Sequence, residues 1–368
     1  MSELNVVDLY DYLHTIPEIG FEEHKTSAFL ADQLEKLGYK VQRGLAGTGV
    51  IGEICGSEPG PTLLVRADMD ALRFADDDGN FYNKHACGHD SHCAMVLTAA
   101  ANVYGKVKKG KLRILFQPAE ETFVGAMKII ETGVLEDVNI AFGLHNRPVT
   151  EIPDGTMTPA VRHGATSFII VKIKGRGAHS ARPHLGINTI DIATQIISAI
   201  NAIKLDPTKS WSCKATGIHG GFVSRNLIPE STEIIFDARA ENNQLMSEML
   251  DKLYKIVNNC AAMNGAEAVI DNLGGILPAA RLDDGLTEIV RQIMVETVGE
   301  DKVIAPYNNP GGEDFHFFTQ HYPKLRAAFF GVGAGAAPGL HAKDMELNKY
   351  SLQNGVDVLT KLILKTVG

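Results

Sequence analysis

Buried strands in this chain keep stopping at side chains that can hold a proton or a metal ion. Residues 62–67 are apolar at nearly every position and give way to Asp68. Residues 111–116 run into Glu120 and Glu121, and 137–144 end at His145. A strand that is apolar on successive rather than alternate residues has both faces covered, the condition of a parallel sheet between helix layers. In open α/β sheets, functional groups collect beyond the carboxyl ends of such strands. The repetition restricts the chain to an α/β architecture and points to one shared site.

Helical patterns separate these strands. Residues 6–13 and 25–37 read as helices, the second with apolar Ala28, Phe29, Leu34 and Leu37 and with Gly38 as a stop. A strand is expected at 49–54 and helices at 93–103 and 124–131. Near the C-terminus a helix at 286–298, a strand at 326–332 and a closing helix at 349–367 restore the same character. Between them the order changes. Residues 166–174, 188–203, 214–223, 231–240, 243–263 and 266–271 read strand, helix, strand, strand, helix, strand. That is the split βαβ order of a ferredoxin-like α+β sandwich. The expected organisation is therefore an α/β domain of residues 1–164 and 277–368, interrupted by an inserted domain of 165–276.

At 368 residues, two domains or one large domain with an insertion is the ordinary size class. A net charge of -9 argues against a nucleic-acid partner, since no basic excess exists to displace counterions. No apolar run reaches the length of a membrane span, and the mixed, acidic start lacks the features of a signal peptide. Cys55, Cys87, Cys93, Cys213 and Cys260 are odd in number and scattered, which fits free thiols in a reducing cytoplasm. These features predict a cytoplasmic protein with neither a membrane nor a nucleic-acid partner.

The densest chemistry is His85-Ala86-Cys87-Gly88-His89-Asp90-Ser91-His92. Imidazoles, a thiol and a carboxylate this close suit a first-row divalent metal, but by themselves they also suit a polar turn with satisfied histidines. No Cys-x-x-Cys pair exists, so a zinc ribbon is excluded. Further ligands would come from Glu121, His145 and His341, each just past a buried strand. The glycine-rich stretch 333–339 before His341 lacks the Gly-Lys-Ser/Thr ending of a phosphate loop. Cys87, His89, Glu121, His145 and His341 supply what two metals with one bridging ligand require. Glu120, beside a ligand, is left to act as the base.

The motifs His-Ala-Cys-Gly-His-Asp-Ser-His, Gln117-Pro118-Ala119-Glu120-Glu121, Gly143-Leu144-His145-Asn146 and Gly339-Leu340-His341-Ala342 resemble the dinuclear aminoacylase and carboxypeptidase family. The resembling branch is that of amidohydrolases, aminoacylases, hippurate hydrolase and plant auxin-conjugate hydrolases. It extends from Ile16-Pro17-Glu18-Ile19-Gly20 through Arg66-Ala67-Asp68-Met69-Asp70-Ala71-Leu72 to Gly312-Glu313-Asp314-Phe315. The resemblance implies a zinc-exopeptidase-like catalytic domain with a ferredoxin-like lid that makes a homodimer. It implies hydrolysis of N-acyl amino acids or small peptides. It also implies two divalent ions (manganese, zinc, cobalt or nickel) on Cys87, His89, Glu121, His145 and His341, with Glu120 as general base and acid.

By the same resemblance Asp68 supports the site from its strand end. His179 steadies the oxyanion of a neighbouring active site, Asn226 binds substrate and Arg239 grips a substrate carboxylate. Asp90, His92 and His184 would stand around these groups. The chain departs from the branch at Arg73, at Asp76-Asp77-Asp78-Gly79 and at Asp237-Ala238-Arg239-Ala240. These departures bear on acyl and amino-acid preference. Three other readings stay open in the sequence: a dipeptidase or carboxypeptidase of the same family, a metal-binding relative without catalysis, and a cysteine hydrolase built on Cys87.

Overall fold

The computed structural model describes residues 4–221 and 224–368. The chain forms two units. The first comprises Met1–Arg162, Arg281–Asn308 and Asp314–Gly368; the second comprises His163–Ala280 with Asn309–Glu313. The short segment Asn309–Glu313 thus goes with the second unit, although the sequence assigns it to the flanking domain.

In chain order the elements begin with α1 (Val6–His14), α2 (His24–Leu37), β1 (Lys40–Leu45), β2 (Gly49–Cys55), β3 (Glu58–Asp68), β4 (Leu72–Ala75) and β5 (Phe81–Lys84). Then come α3 (His89–Val103), β6 (Lys109–Gln117), α4 (Gly125–Glu131), β7 (Ile140–Pro148), β8 (Met157–Thr158) and β9 (Val161–His163). The second unit carries β10 (Ala165–Lys174), β11 (Ala178–His179), α5 (Thr189–Asn201), β12 (Trp211–Gly220), β13 (Leu227–Ile228), β14 (Ser231–Ala240), α6 (Asn243–Met263) and β15 (Glu267–Leu277). The chain closes with α7 (Asp284–Val298), β16 (Tyr307–Asn309), α8 (His316–His321), β17 (Arg326–Ala336) and α9 (Leu352–Val367).

The first unit is built on a seven-stranded sheet in the order β1-β2-β6-β3-β7-β17-β8. Its centre, β6-β3-β7-β17, is parallel, and antiparallel pairs close both edges. Leu63 and Val65 of β3 face one apolar layer with residues of α1, α2, α3, α7 and α9. Leu64 faces the opposite layer with residues of α4 and α8. Helices on both faces explain why these strands are apolar at consecutive positions. α3 lies in the first layer and is buried on nearly every residue, so it shows no polar stripe. In the second unit β12-β14-β10-β15 form an antiparallel sheet with α5 and α6 packed on one face. This is the 4-1-3-2 strand order of a ferredoxin-like sandwich, read from the β15 edge.

Several boundaries differ from expectation. α3 begins at His89 rather than at 93, so His89 and His92 lie on its first turn. β7 runs on to Pro148 and contains His145 instead of ending before it. β17 continues to Ala336 through half of the glycine-rich stretch, and β15 reaches Leu277. The expected strand end at Val223 lies outside the described residues. β1 carries largely exposed, polar residues, and the strands of the hairpin β4–β5 are only four residues each, too short for a clear apolar period. Among the described residues no helix is long and apolar enough to cross a membrane, and the five cysteines are free thiols.

Candidate metal centre

The site is assembled at the carboxyl end of the parallel strands, and unusual backbone sets its angles. Gly88 separates Cys87 from His89 at φ 86°. A side chain there would be strained and would meet Asn146 Oδ1 at 2.5 Å. Glu120–Thr122 form a single 3₁₀ turn flanked by Ala119 at φ 57° and Phe123 at φ 65°, left-handed values that cost non-glycine residues energy. The buried Glu23 carboxylate offsets part of that cost by accepting the Ala119 N–H at 2.8 Å. It also accepts the Thr48 hydroxyl at 2.6 Å. His341 is also left-handed, at φ 64°, and its N–H donates to Ala86 O at 2.7 Å.

These constraints bring the five expected donors together. The ligand atoms of Cys87, His89 and His145 lie within 4.8 Å of one another, and so do those of Cys87, Glu121 and His341. The Cys87 sulfur belongs to both groups. Its Sγ is 3.5 Å from His145 Nε2, while Glu121 Oε1 is 3.8 Å from His89 Nε2 and 3.4 Å from His341 Nε2. Glu120, buried beside them, shares a third such group with His89 and Glu121. Its Oε1 lies 3.4 Å from the Asp314 N–H.

The histidines present the nitrogen a ligand needs. His89 Nδ1 is 3.2 Å from Asp70 Oδ1, and His145 Nδ1 donates to the Asn146 carbonyl. Each ring therefore turns Nε2 into the cluster, the usual arrangement of a metal-binding histidine held from behind. His89 Nε2 and Glu121 Oε1 are buried with no hydrogen-bond partner, a costly state for polar atoms unless something else binds them. This residue set fits two divalent cations.

The electrostatics agree. Burial, then the nearby Glu121, pushes the Cys87 thiol up to about 12, so without a cation it is no thiolate. Burial and His92 hold His145 well below the usual imidazole range, leaving it neutral. Burial works in the same direction on His89, but the Asp68 and Asp70 carboxylates outweigh it and raise that group well above the usual value. Glu121 stays ionised because His341 and His89 overcome its burial. The centre thus attracts positive charge in a dry place.

The resemblance assigns the supporting role to Asp68, but the direct contacts come from Asp70. Asp70 faces His89 with one oxygen and accepts the Glu121 N–H at 2.9 Å with the other. Asp68 lies deeper, 2.6 Å from His92 Nδ1 and 2.7 Å from Arg66 Nη1, with Oδ2 3.7 Å from His89 Nε2. Arg66 is wholly buried and also reaches Gln117 Oε1 at 2.9 Å and Asp314 Oδ1 at 2.7 Å. Asp68 and Asp70 are two apart at a strand end, a spacing that could have drawn attention to both. Gln117 and Asp314 each stand in a sequence motif, but nothing along the chain marks them as partners of each other or of Arg66. Asp90 is 2.6 Å from His14 Nδ1.

His179, Asn226 and Arg239 lie in the second unit. His179 is exposed, accepts the Ala181 N–H on Nδ1 at 3.1 Å, and has Asn226 Nδ2 3.5 Å from Nε2. Arg239 stands on another sheet, with Nε and Nη2 forked onto Asp237 at 2.6 and 3.1 Å. In this structure its guanidinium is paired with that carboxylate on its own strand. His184 is exposed on the same unit.

Residues 64–365 match the family model described as peptidase family M20/M25/M40. The chain belongs to this family. Over 341 residues it is 32% identical to the N-acetyl-L-cysteine deacetylase of Bacillus subtilis, spanning 90% of this chain and 81% of that protein. Over 342 residues it is 34% identical to thermostable carboxypeptidase 1 of Saccharolobus solfataricus, spanning 86% and 84%. Among solved structures it resembles the YXEP protein of Bacillus subtilis, described as a dinuclear metal binding peptidase of the M20 family. There the TM-score is 0.78 at 27% identity, over 98% of this chain and 97% of that one. As an M20 member the chain is a metal-dependent hydrolase with the family's α/β fold.

Proposed function

We propose that this M20 hydrolase is an aminoacylase-type amidohydrolase that cleaves the amide bond of small N-acyl amino acids. Cys87, His89, Glu121, His145 and His341 would hold two divalent cations: manganese, zinc, cobalt or nickel. The single observation that carries the reading is the Cys87 sulfur common to two donor triads. The deacetylase relative supports the choice of substrate.

Bound cations would supply Lewis acidity, polarising an amide carbonyl and acidifying water. The chain's own part is proton handling and orientation. The Glu120 carboxylate takes a proton from the attacking water and returns it to the departing amine nitrogen. Its place on a strained turn, next to Glu121, aims one carboxylate at the donors and frees the other for this work. Asp68 keeps His92 and Arg66 in place behind the site. His179 and Asn226 would serve the oxyanion and the substrate of a neighbouring subunit. The open edge of β12 in the second unit's sheet supports a homodimer formed there. The five free thiols support a reducing, cytoplasmic setting.

A carboxypeptidase or dipeptidase is the second reading, favoured by the Saccharolobus relative. Assay of the metal-loaded protein on N-acetyl amino acids, dipeptides and longer peptides separates the two. Turnover confined to peptides would replace the aminoacylase reading. Two bound ions with no turnover on either panel would leave a metal-binding relative without catalysis.

A further inference from the structure

His341 is the exposed donor of its triad: its side chain keeps 55% of its surface accessible, against 12% for Glu121. It rides on a surface loop in a left-handed conformation, so the loop has to be held in order before a cation can bind. The base of the loop is closed by Ala337 N–H to Glu346 O at 3.0 Å and Glu346 N–H to Ala337 O at 2.9 Å. Its flanks, Leu340 and Ala342, pack with Leu72 and Phe74 of the β4–β5 hairpin around Ala86 and Met345. Two lysines then cross between hairpin and loop in opposite directions. Lys84 Nζ donates to Lys343 O at 2.9 Å, and Lys343 Nζ donates to Ala75 O at 2.7 Å.

We infer that Lys84 and Lys343 are positioning residues that clamp the hairpin to the His341 loop and set the cation affinity of the Cys87–Glu121–His341 triad. The hairpin passes through Lys84, His85 and Ala86 straight into Cys87. The clamp therefore ties together the two segments that deliver the triad's sulfur and its exposed imidazole. A loop ordered in advance loses less freedom when its ligand binds, and that saving appears as affinity. The triad of Cys87, His89 and His145 does not include this loop and shares only the Cys87 sulfur with the clamped segments. The inference rests on the two-cation reading above.

Cobalt(II) titration of the metal-free full chain by calorimetry tests it, with thiolate-to-cobalt absorption as a second signal. Wild type should take two ions, and His341→Ala identifies the step that belongs to the His341 triad. In Lys84→Met and Lys343→Met, which keep the apolar stems, that same step should weaken about tenfold, the scale of supporting contacts around metal ligands. The other step, which shares only Cys87, should move less, and the unfolding temperature should stay put. The inference is overturned if neither step moves, or if both weaken equally, which would mark a general loss of structure. Failure of the two-cation reading is separate: wild type would then bind fewer than two ions before any lysine is changed.

Discussion

Asp70 holds His89 from behind, its Oδ1 3.2 Å from the ring's Nδ1, and the same carboxylate accepts the Glu121 N–H at 2.9 Å. One buried side chain therefore orients two donors from different elements. Replacing Asp70 with alanine should weaken metal binding roughly 10–100-fold, with activity partly recovered in excess metal. Equilibrium dialysis against zinc or manganese measures it, and unchanged affinity would make Asp70 a bystander.

Glu120 lies beside the donors but belongs to neither Cys87 triad. A Glu120→Gln enzyme should keep both ions and lose turnover by about 10²–10⁴-fold. Elemental analysis paired with steady-state kinetics checks both halves. Near-normal turnover would remove Glu120 from proton transfer.

Arg66 is buried at 1% exposure between Asp68 and Asp314. Removing the cation from such a network, as in Arg66→Met, should cost about 3–5 kcal/mol, because two buried carboxylates lose their counter-charge. Urea unfolding gives the difference. A cost below about 1 kcal/mol would fit an exposed pair and contradict this burial.

The hydrogen bond to Asp90 raises the His14 imidazole above its usual value, against an opposing effect of burial. A group whose pKa rises on folding stabilises fully below its unfolded value and loses that contribution as the pH passes its folded value. Wild type should thus be more stable than His14→Gln below about pH 6, with the gap closing in alkaline solution. Unfolding curves across that range decide it, and a gap that widens with pH would reverse the assignment.

With its thiol pushed up to about 12, Cys87 is a poor nucleophile in the metal-free protein. Chelation should abolish activity, and added manganese or zinc should restore it. Full activity after exhaustive chelation would instead favour a cysteine hydrolase.

The layers of the fold were legible because local pattern carries them. Doubly covered strands read as apolar runs, and the second unit's strand and helix order was plain from alternation and amphipathic spacing. The misses share one cause. β1 and the β4–β5 hairpin are stabilised by pairing to neighbours and left little apolar periodicity in their own residues. Glu23, just before α2, has nothing in its neighbours to single it out, although it is buried against the Ala119 backbone.

By itself the sequence determined the parallel α/β core, the inserted sandwich and the residue types at each strand end, because burial on one or two faces is written into neighbouring residues. Only the tertiary structure decided that one sulfur stands in both donor groups, that Asp70 rather than Asp68 backs His89, and that Asp237 pairs with Arg239. Those outcomes depend on distances between side chains set by packing and backbone turns, and no spacing along the chain encodes them.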